Sequence, residues 1–259
     1  MSLSRRLLPL GLSIATAIAL TGPVAPAAAQ TPTTGDQVVR AMHDRYAGKW
    51  YHTLTFTQKT TRRTPADTMV VETWYEAAAV PGRLRIDIAP RPGGRSIIFA
   101  NDSIIVVQHD TVARRVAGRN PLLILGFDVY GQTPERTLDV LRAEGFAMQP
   151  VHEDTWKGRR VYVVGAAAGD LHTKQFWVDA ERMLFVRLIE PSRGDSTKID
   201  DTRFTDYRKV SPGWVAAGVE FSVDGRNAFS ERYSDIKVNP KLDPALFDPR
   251  QFAKRHWEQ

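Results

Sequence analysis

Residues 96–108, Ser96-Ile97-Ile98-Phe99-Ala100-Asn101-Asp102-Ser103-Ile104-Ile105-Val106-Val107-Gln108, decide the fold. Two short runs of β-branched and aromatic residues flank Asn101-Asp102, a polar pair suited to a tight hairpin turn, so the stretch reads as two antiparallel strands. Ile97-Ile98-Phe99 and Ile104-Ile105-Val106-Val107 are apolar on both faces. An antiparallel sheet with one wet side needs apolar residues on only one face, so something must cover the second. The next apolar block, Asn120-Pro121-Leu122-Leu123-Ile124-Leu125-Gly126-Phe127, is a compact helical segment that can do so. Thr133-Pro134-Glu135 then opens a further helix, with an N-cap followed by Pro at the first helical position. Leu138 and Leu141 continue it to Gly145.

Working outward, Thr33 with Asp36 three residues on makes a helix start, and Val39, Met42 and Tyr46 recur at helical spacing up to Gly48. From Trp50 the period changes to two, with Trp50, Leu54 and Phe56 on one face and Tyr51, Thr53, Thr55 and Thr57 on the other. Strands are predicted at 68–76 and 83–88 before the central hairpin. Downstream they are predicted at 160–164, 173–178, 182–190, 198–207, 214–223 and 227–238. Asp224-Gly225 supplies a hairpin turn, and Pro92-Gly93-Gly94 is a turn too short to cradle a phosphate. The order is helix, strand meander, helical insert, strand meander. No low-complexity linker divides it, so residues 31–252 read as a single domain, with 253–259 as a tail. The fold class is mainly β with helices (α+β), an incomplete antiparallel barrel wrapped around central helices, wider inside than side chains alone need to fill.

Residues 1–29 have the layout of a secretory signal peptide: Arg5-Arg6, the apolar run 7–20, Gly22-Pro23, and Ala27-Ala28-Ala29 as the cleavage site. A membrane anchor needs about 18 uninterrupted apolar residues, and Ser13, Thr16 and Thr21 interrupt this run. The chain has no cysteine, which excludes disulfides, a thiol-linked lipid and a cysteine nucleophile. Loss of Arg5 and Arg6 takes the formal net charge from +6 to +4. Basic and acidic residues alternate along strands, as in Arg83-Leu84-Arg85-Ile86-Asp87, without the basic patch and stacking aromatics that nucleic acid requires. A modest attraction to anionic membrane surfaces remains.

Motifs for chemistry are missing. The histidines at 43, 52, 109, 152, 172 and 256 never form a ligand spacing such as H-E-x-x-H, and there is no G-x-S-x-G. Asp200, Asp201 and Asp206 are the acid set available for acid/base work, but they alternate with Thr202, Arg203 and Thr205, which reads as a solvated strand face. The expectation is therefore a binding domain rather than an enzyme, with no cofactor and no metal.

Several short motifs in a fixed order give the chain a resemblance to the periplasmic outer-membrane lipoprotein carriers, the LolA-like family and its lipoprotein-sorting relatives. They are the leader, the opening helix, Leu54-Thr55-Phe56-Thr57-Gln58-Lys59 with its F-x-Q pattern, Trp74, Pro81-Gly82-Arg83-Leu84-Arg85, the hairpin through Val107, the apolar helix after Asn120-Pro121, and Leu242-Asp243-Pro244-Ala245-Leu246-Phe247. The resemblance implies an open barrel closed by a helical lid over an apolar cavity that receives acyl chains. It also implies membrane-bound donor and acceptor proteins. Such carriers place a basic residue before the proline preceding the third strand to latch the lid, whereas this chain has Val80.

Strand alternation combined with the helical cover gives candidate cavity residues: Leu54, Phe56, Trp74, Leu84, Ile86, Ile98, Ile105 and Val107 on strands, and Leu123 and Phe127 one turn apart on the insert. Thr55, Glu72, Arg83, Arg85 and Asp87 are expected to face water. The function these readings favour is a periplasmic carrier or chaperone for acylated lipoproteins or lipids. The alternative is an envelope sensor or structural partner that uses the same fold to bind a protein segment, and a hydrolase built on the Asp200–Asp206 set is third.

Overall fold

The computed structural model describes residues 31–64, 66–90 and 94–251. The leader, the tail from 253 and most of the Pro92-Gly93-Gly94 turn lie outside the described residues.

Helix α1 (Gly35–Tyr46) starts one residue later than the sequence suggests. Its N-cap is Thr34, whose hydroxyl accepts from the Gln37 backbone N–H while the Gln37 side chain accepts from the Thr34 N–H, a reciprocal capping box. Six strands follow: β1 (Thr53–Arg63), β2 (Met69–Ala79), β3 (Arg83–Ile88), β4 (Arg95–Ala100), β5 (Ser103–Gln108) and β6 (Thr111–Ala117). The helical insert is α2 (Pro121–Gly126), a 3₁₀ turn (Asp128–Tyr130) and α3 (Pro134–Ala143). A second meander runs through β7 (Val151–Trp156), β8 (Arg159–Val164), β9 (Gln175–Asp179), β10 (Leu184–Pro191), β11 (Ile199–Lys209), β12 (Trp214–Val223) and β13 (Arg226–Val238). It ends in a 3₁₀ turn, Pro244–Phe247.

The strands form one antiparallel sheet in the order β6-β5-β4-β3-β2-β1-β13-β12-β11-β10-β9-β8-β7. The pairing of β1 with β13 joins the two meanders, and β6 and β7 are left as free edges, so the barrel is open. At the β4–β5 hairpin, Asn101 and Asp102 take φ of 51° and 55°, the left-handed pair that a type I′ turn needs.

The helices pack on one face of this sheet, here called the inner face. Val38, Val39 and Met42 of α1, Leu123–Leu125 of α2 and Leu138 and Leu141 of α3 share a single apolar core with Leu54, Phe56, Leu84, Phe176, Leu188 and Val219 of the strands. At one end this core is filled by rings. Tyr130 lies 4.0 Å from Trp50 and 5.4 Å from Tyr46, centroid to centroid, and its hydroxyl accepts from the Phe185 N–H. Around α2, whose six residues cover far less of the sheet than the twelve of α1, the filling is incomplete.

Edge strands β6 and β7 were not predicted. Five of the first six residues of Thr111–Ala117 are exposed, and Val151–Trp156 carries His152, Glu153 and Asp154 in succession. A strand wet on both faces leaves no period-two apolar signal to read.

Candidate functional site

Directly paired residues of antiparallel neighbours point to the same face, so the register assigns the inner face row by row. Leu54 pairs Ala78, Ala78 pairs Leu84, Leu84 pairs Phe99, and Phe99 pairs Ile104. The next row is Phe56, Glu76, Ile86, Ile97 and Val106. From the other side come Glu231 opposite Val219, itself opposite Phe204, and Phe229 opposite Phe221.

Between these rows and α2 lies a chamber of about 230 Å³, lined by Leu84, Ile86, Leu122, Leu123, Phe127, Phe204, Val219, Phe221, Phe229 and Tyr233, with Asn120, Glu76 and Glu231. A second hollow of about 310 Å³ shares Asn120, Leu122, Phe221 and Phe229 with it and continues past Phe99 and Ile104. Side by side, the two approach the size range of small-ligand sites. Helix α2 sits close over the strands because Gly126 has no side chain: a Cβ there would lie 2.6 Å from Phe204 Cε2.

Of the predicted residues, Leu84, Ile86, Leu123 and Phe127 line this chamber. Leu54, Phe56 and Trp74 share its face and its apolar core. Phe56 stacks on Tyr233 at 4.2 Å, which places it behind the wall. Ile98, Ile105 and Val107 are a correction. They pair with Arg85, with Ile98 and with Ser96, on the opposite, outer face, and form a separate buried cluster with Ala100. The inner residues of that hairpin are Ile97, Phe99, Ile104 and Val106. A strand apolar at every position carries no phase, and a one-residue error moves its whole side-chain set to the other face.

The residues expected to face water need a second correction. Thr55, Arg85 and Asp87 do lie on the outer face but are buried there, because the 3₁₀ turn Pro244–Phe247 packs Leu246 and Phe247 against Ala77 and Ala79. Arg85 Nε donates to Asp87 at 2.9 Å, and Arg85 Nη1 donates to the Leu246 carbonyl at 3.3 Å. Arg83 is half-buried, its guanidinium 5.5 Å from the Phe247 ring. Glu72 is four residues from Glu76 on β2, an even spacing that puts it on the same inner face, half-buried at its rim, where it accepts from Arg62 and from Trp74 Nε1. Asp201 is likewise buried rather than solvated, held by Arg187 at 2.8 Å and by Arg203. Asp200 is bound to Ser192 and Asp206 to Arg208, so the three acids are each committed elsewhere.

Sequence reasoning missed the polar content of the chamber. Glu76 and Glu231 are both buried, at 5% and 8% exposure, on the two strands that flank β1. Burial, with Glu231 nearby, pushes the Glu76 carboxyl well above the ordinary range. Burial pushes Glu231 to about 7, although Tyr233 donates to it at 2.7 Å and stabilises its charge. Lys, Arg and His are all absent from the chamber lining among the described residues. The signal was available: Glu76 falls in phase with Trp74 and Ala78, and Glu231 with Phe229 and Tyr233.

At the far end of α2, the Asp128 carboxylate accepts the Gly82 N–H at 2.9 Å, and burial raises it to about 7. Groups of three or more His, Asp and Glu placed to hold a metal are absent among the described residues.

By sequence, no family model and no curated protein matches the chain. By structure it is similar to a DUF1329 family protein from Desulfovibrio piger, with a TM-score of 0.58 and 13% identity over 83% of this chain and 95% of that one. A putative outer membrane lipoprotein-sorting protein domain from Vibrio parahaemolyticus gives 0.58 and 11% over 85% and 98%. A LolA superfamily protein from Nitrosomonas europaea gives 0.52 and 12% over 81% and 96%. The likeness establishes the fold: an open, LolA-like antiparallel sheet wrapped on helices.

Proposed function

We propose that this domain is a periplasmic carrier or chaperone that shields an acyl chain of a lipoprotein or lipid in the α2-covered chamber, after removal of the leader near Ala29. The chamber itself carries the reading. Aliphatic and aromatic side chains from both meanders converge there beneath a short helix and leave space that the core does not fill. The names of two structural neighbours, a lipoprotein-sorting domain and a LolA superfamily protein, support a cargo of this kind.

The energetics suffice without a catalytic group. Burying one CH₂ contributes about 0.8 kcal/mol, so a chain of about fifteen carbons offers on the order of 12 kcal/mol gross. Association costs are roughly 4 to 15 kcal/mol. The residues assigned to cargo contact are Leu84, Ile86, Leu123, Phe127, Phe204 and Phe221, backed by Leu54, Phe56 and Trp74. Exchange would take place at membrane-bound donor and acceptor proteins, aided by weak attraction of the basic chain to anionic surfaces.

Native mass spectrometry of the mature protein tests this. Delipidated protein exposed to lipid should gain the mass of one bound chain. Identical masses before and after exposure would reject the carrier. A stoichiometric protein partner captured with the chamber still empty would favour the sensor reading instead.

A further inference from the structure

We propose that Glu76 and Glu231 make the chamber selective for single-chain amphiphiles that end in a protonated amine, at the expense of the fatty acid anion of the same length. This rests on the carrier reading and narrows its cargo.

Register puts the two carboxyls on one face, in rows two inner positions apart on β1, and the chamber between those rows takes in both. Glu76 on β2 is opposite Phe56 and Glu231 on β13 is opposite Thr60, so they flank β1 from either side on the inner face. Both line the chamber together with Leu84, Ile86 and Val219, positions of the same wall where aliphatic side chains are accommodated. A chamber meant only for hydrocarbon gains nothing from carboxyls there, since a buried carboxyl without a partner is costly and a buried ion more so.

Glu231 receives a hydrogen bond from Tyr233 and is also stabilised by the Gln58 side chain. Glu76 has no hydrogen-bond or ion-pair partner among the described residues, yet it is 95% buried and its side chain lines the empty space. The adjoining hollow holds two arginines outside this lining, Arg193 and Arg119, the latter already bound to Asp102 at 2.6 Å and to Glu144 at 3.3 Å. Lys, Arg and His are absent from the lining described above, so the missing positive charge and donors must come with the cargo. An ammonium supplies both, with three N–H donors for the two carboxyls. A carboxylate brings neither, and it adds a like charge at short range to whichever of the pair is ionised, in a poorly solvated site.

Displacement of the neutral dye N-phenyl-1-naphthylamine from delipidated mature protein at pH 7 separates headgroup from chain. Dodecylamine, dodecanol and dodecanoate have equal chain lengths. Dodecylamine is expected to displace the dye at least about tenfold more tightly than dodecanoate, a difference of about 1.4 kcal/mol, with dodecanol between them. In Glu76→Gln/Glu231→Gln, which keeps shape and removes charge, amine and acid should converge while dodecanol is unchanged. The mature chain is net positive, so nonspecific adsorption would favour dodecanoate, the opposite direction.

Equal displacement by amine and acid on the native protein, or a preference that survives in the double variant, overturns the proposal. The native ratio alone decides if the variant does not fold. Failure of all three compounds to displace the dye would remove the carrier reading itself. Chain binding without headgroup preference would remove only this one.

Discussion

The buried carboxyls predict a stability profile that runs against the usual acid denaturation. Glu231 has a folded-state pKa of about 7 against an ordinary 4.5, because burial disfavours its charged form. Around it are Glu76 and, across Thr60, the Arg62-paired Glu72 from β2, Gln58 and Thr60 from β1, Tyr233 from its own strand and, from α2, uncharged side chains only. Below about pH 4.5 the folded and unfolded chains both hold the proton, and the group has no effect on stability. Between about 4.5 and 7 the unfolded chain ionises first, so the folded state loses stability as pH rises, at ~1.4 kcal/mol per pH unit. The full loss attributable to Glu231 is on the order of 3 kcal/mol by pH 8. Urea unfolding at 25 °C, followed from pH 4.5 to 8 for the native protein and Glu231→Gln, reads it directly. The native curve should fall relative to the variant by that amount. Asp128, raised to about 7 for the same reason, contributes equally to both proteins and cancels in the difference. Parallel curves would show that Glu231 is solvated and charged in the folded state, and the reasoning about the pair would fail with it.

Leu84→Trp enlarges the chamber wall and should abolish acyl-chain retention while costing under about 3 kcal/mol in thermal or urea unfolding; severe destabilisation with retention unchanged would make Leu84 ordinary core. Asp87→Ala removes the buried carboxylate to which Arg85, 1% exposed, donates while its bond to the Leu246 carbonyl stays, and the expected loss is about 1.5 to 3 kcal/mol by urea unfolding. Asp179 is buried, which opposes its charge, but Arg159 and Arg182 overcome this and hold it at about 2. It therefore contributes about 2 kcal/mol above its ordinary 3.8, lost as pH falls towards 2, and Asp179→Asn should flatten that acid limb of the stability curve.

How far the sequence could be read depended on whether each segment carried a phase. The strands at 83–88 and 214–223 were legible because polar and apolar residues alternate or turn signals bracket them, and the α3 start was legible from Thr133-Pro134, where the Thr133 hydroxyl accepts the Arg136 N–H. The hairpin 96–108 fixed the existence of two strands and of a cover. It could not say which of Ile97 and Ile98 faces the helices, because both faces are buried, one under α2 and its neighbours and one on the outer side where Ile98, Ile105 and Val107 cluster. The same ambiguity hid Arg85 and Asp87, whose charges suggested water when the chain's own C-terminal 3₁₀ turn lies over them. Glu76 and Glu231 were invisible for another reason: alternation arguments sort residues by polarity first, and a polar residue in an apolar phase is read as noise.

The position of Val80 bears on how the lid is held. Where the resemblance implies a basic latch, the Val80 side chain is buried against Gly131, its Cγ1 3.1 Å from where a Gly131 Cβ would stand, and its N–H donates to the His52 carbonyl at 2.8 Å. A valine carries no charge to rearrange, so lid and strand communicate here through shape. The insert is tied to the strands by the Arg119–Asp102 pair at the β4–β5 turn, partly exposed and so weak, and by two buried neutral donors, the Phe185 N–H on Tyr130 and the Gly82 N–H on Asp128, a carboxyl that burial has already made reluctant to ionise. Such a bond contributes about 1 kcal/mol net. The apolar contacts of Leu123, Ile124 and Leu125 contribute roughly 1.5 to 3 kcal/mol each when fully buried. Opening is therefore opposed mainly by hydrophobic area. On the carrier reading the effective opener is then another apolar surface, an acyl chain or a membrane interface, that replaces the area lost, and added salt should speed cargo release only slightly, by weakening the partly exposed Arg119–Asp102 pair.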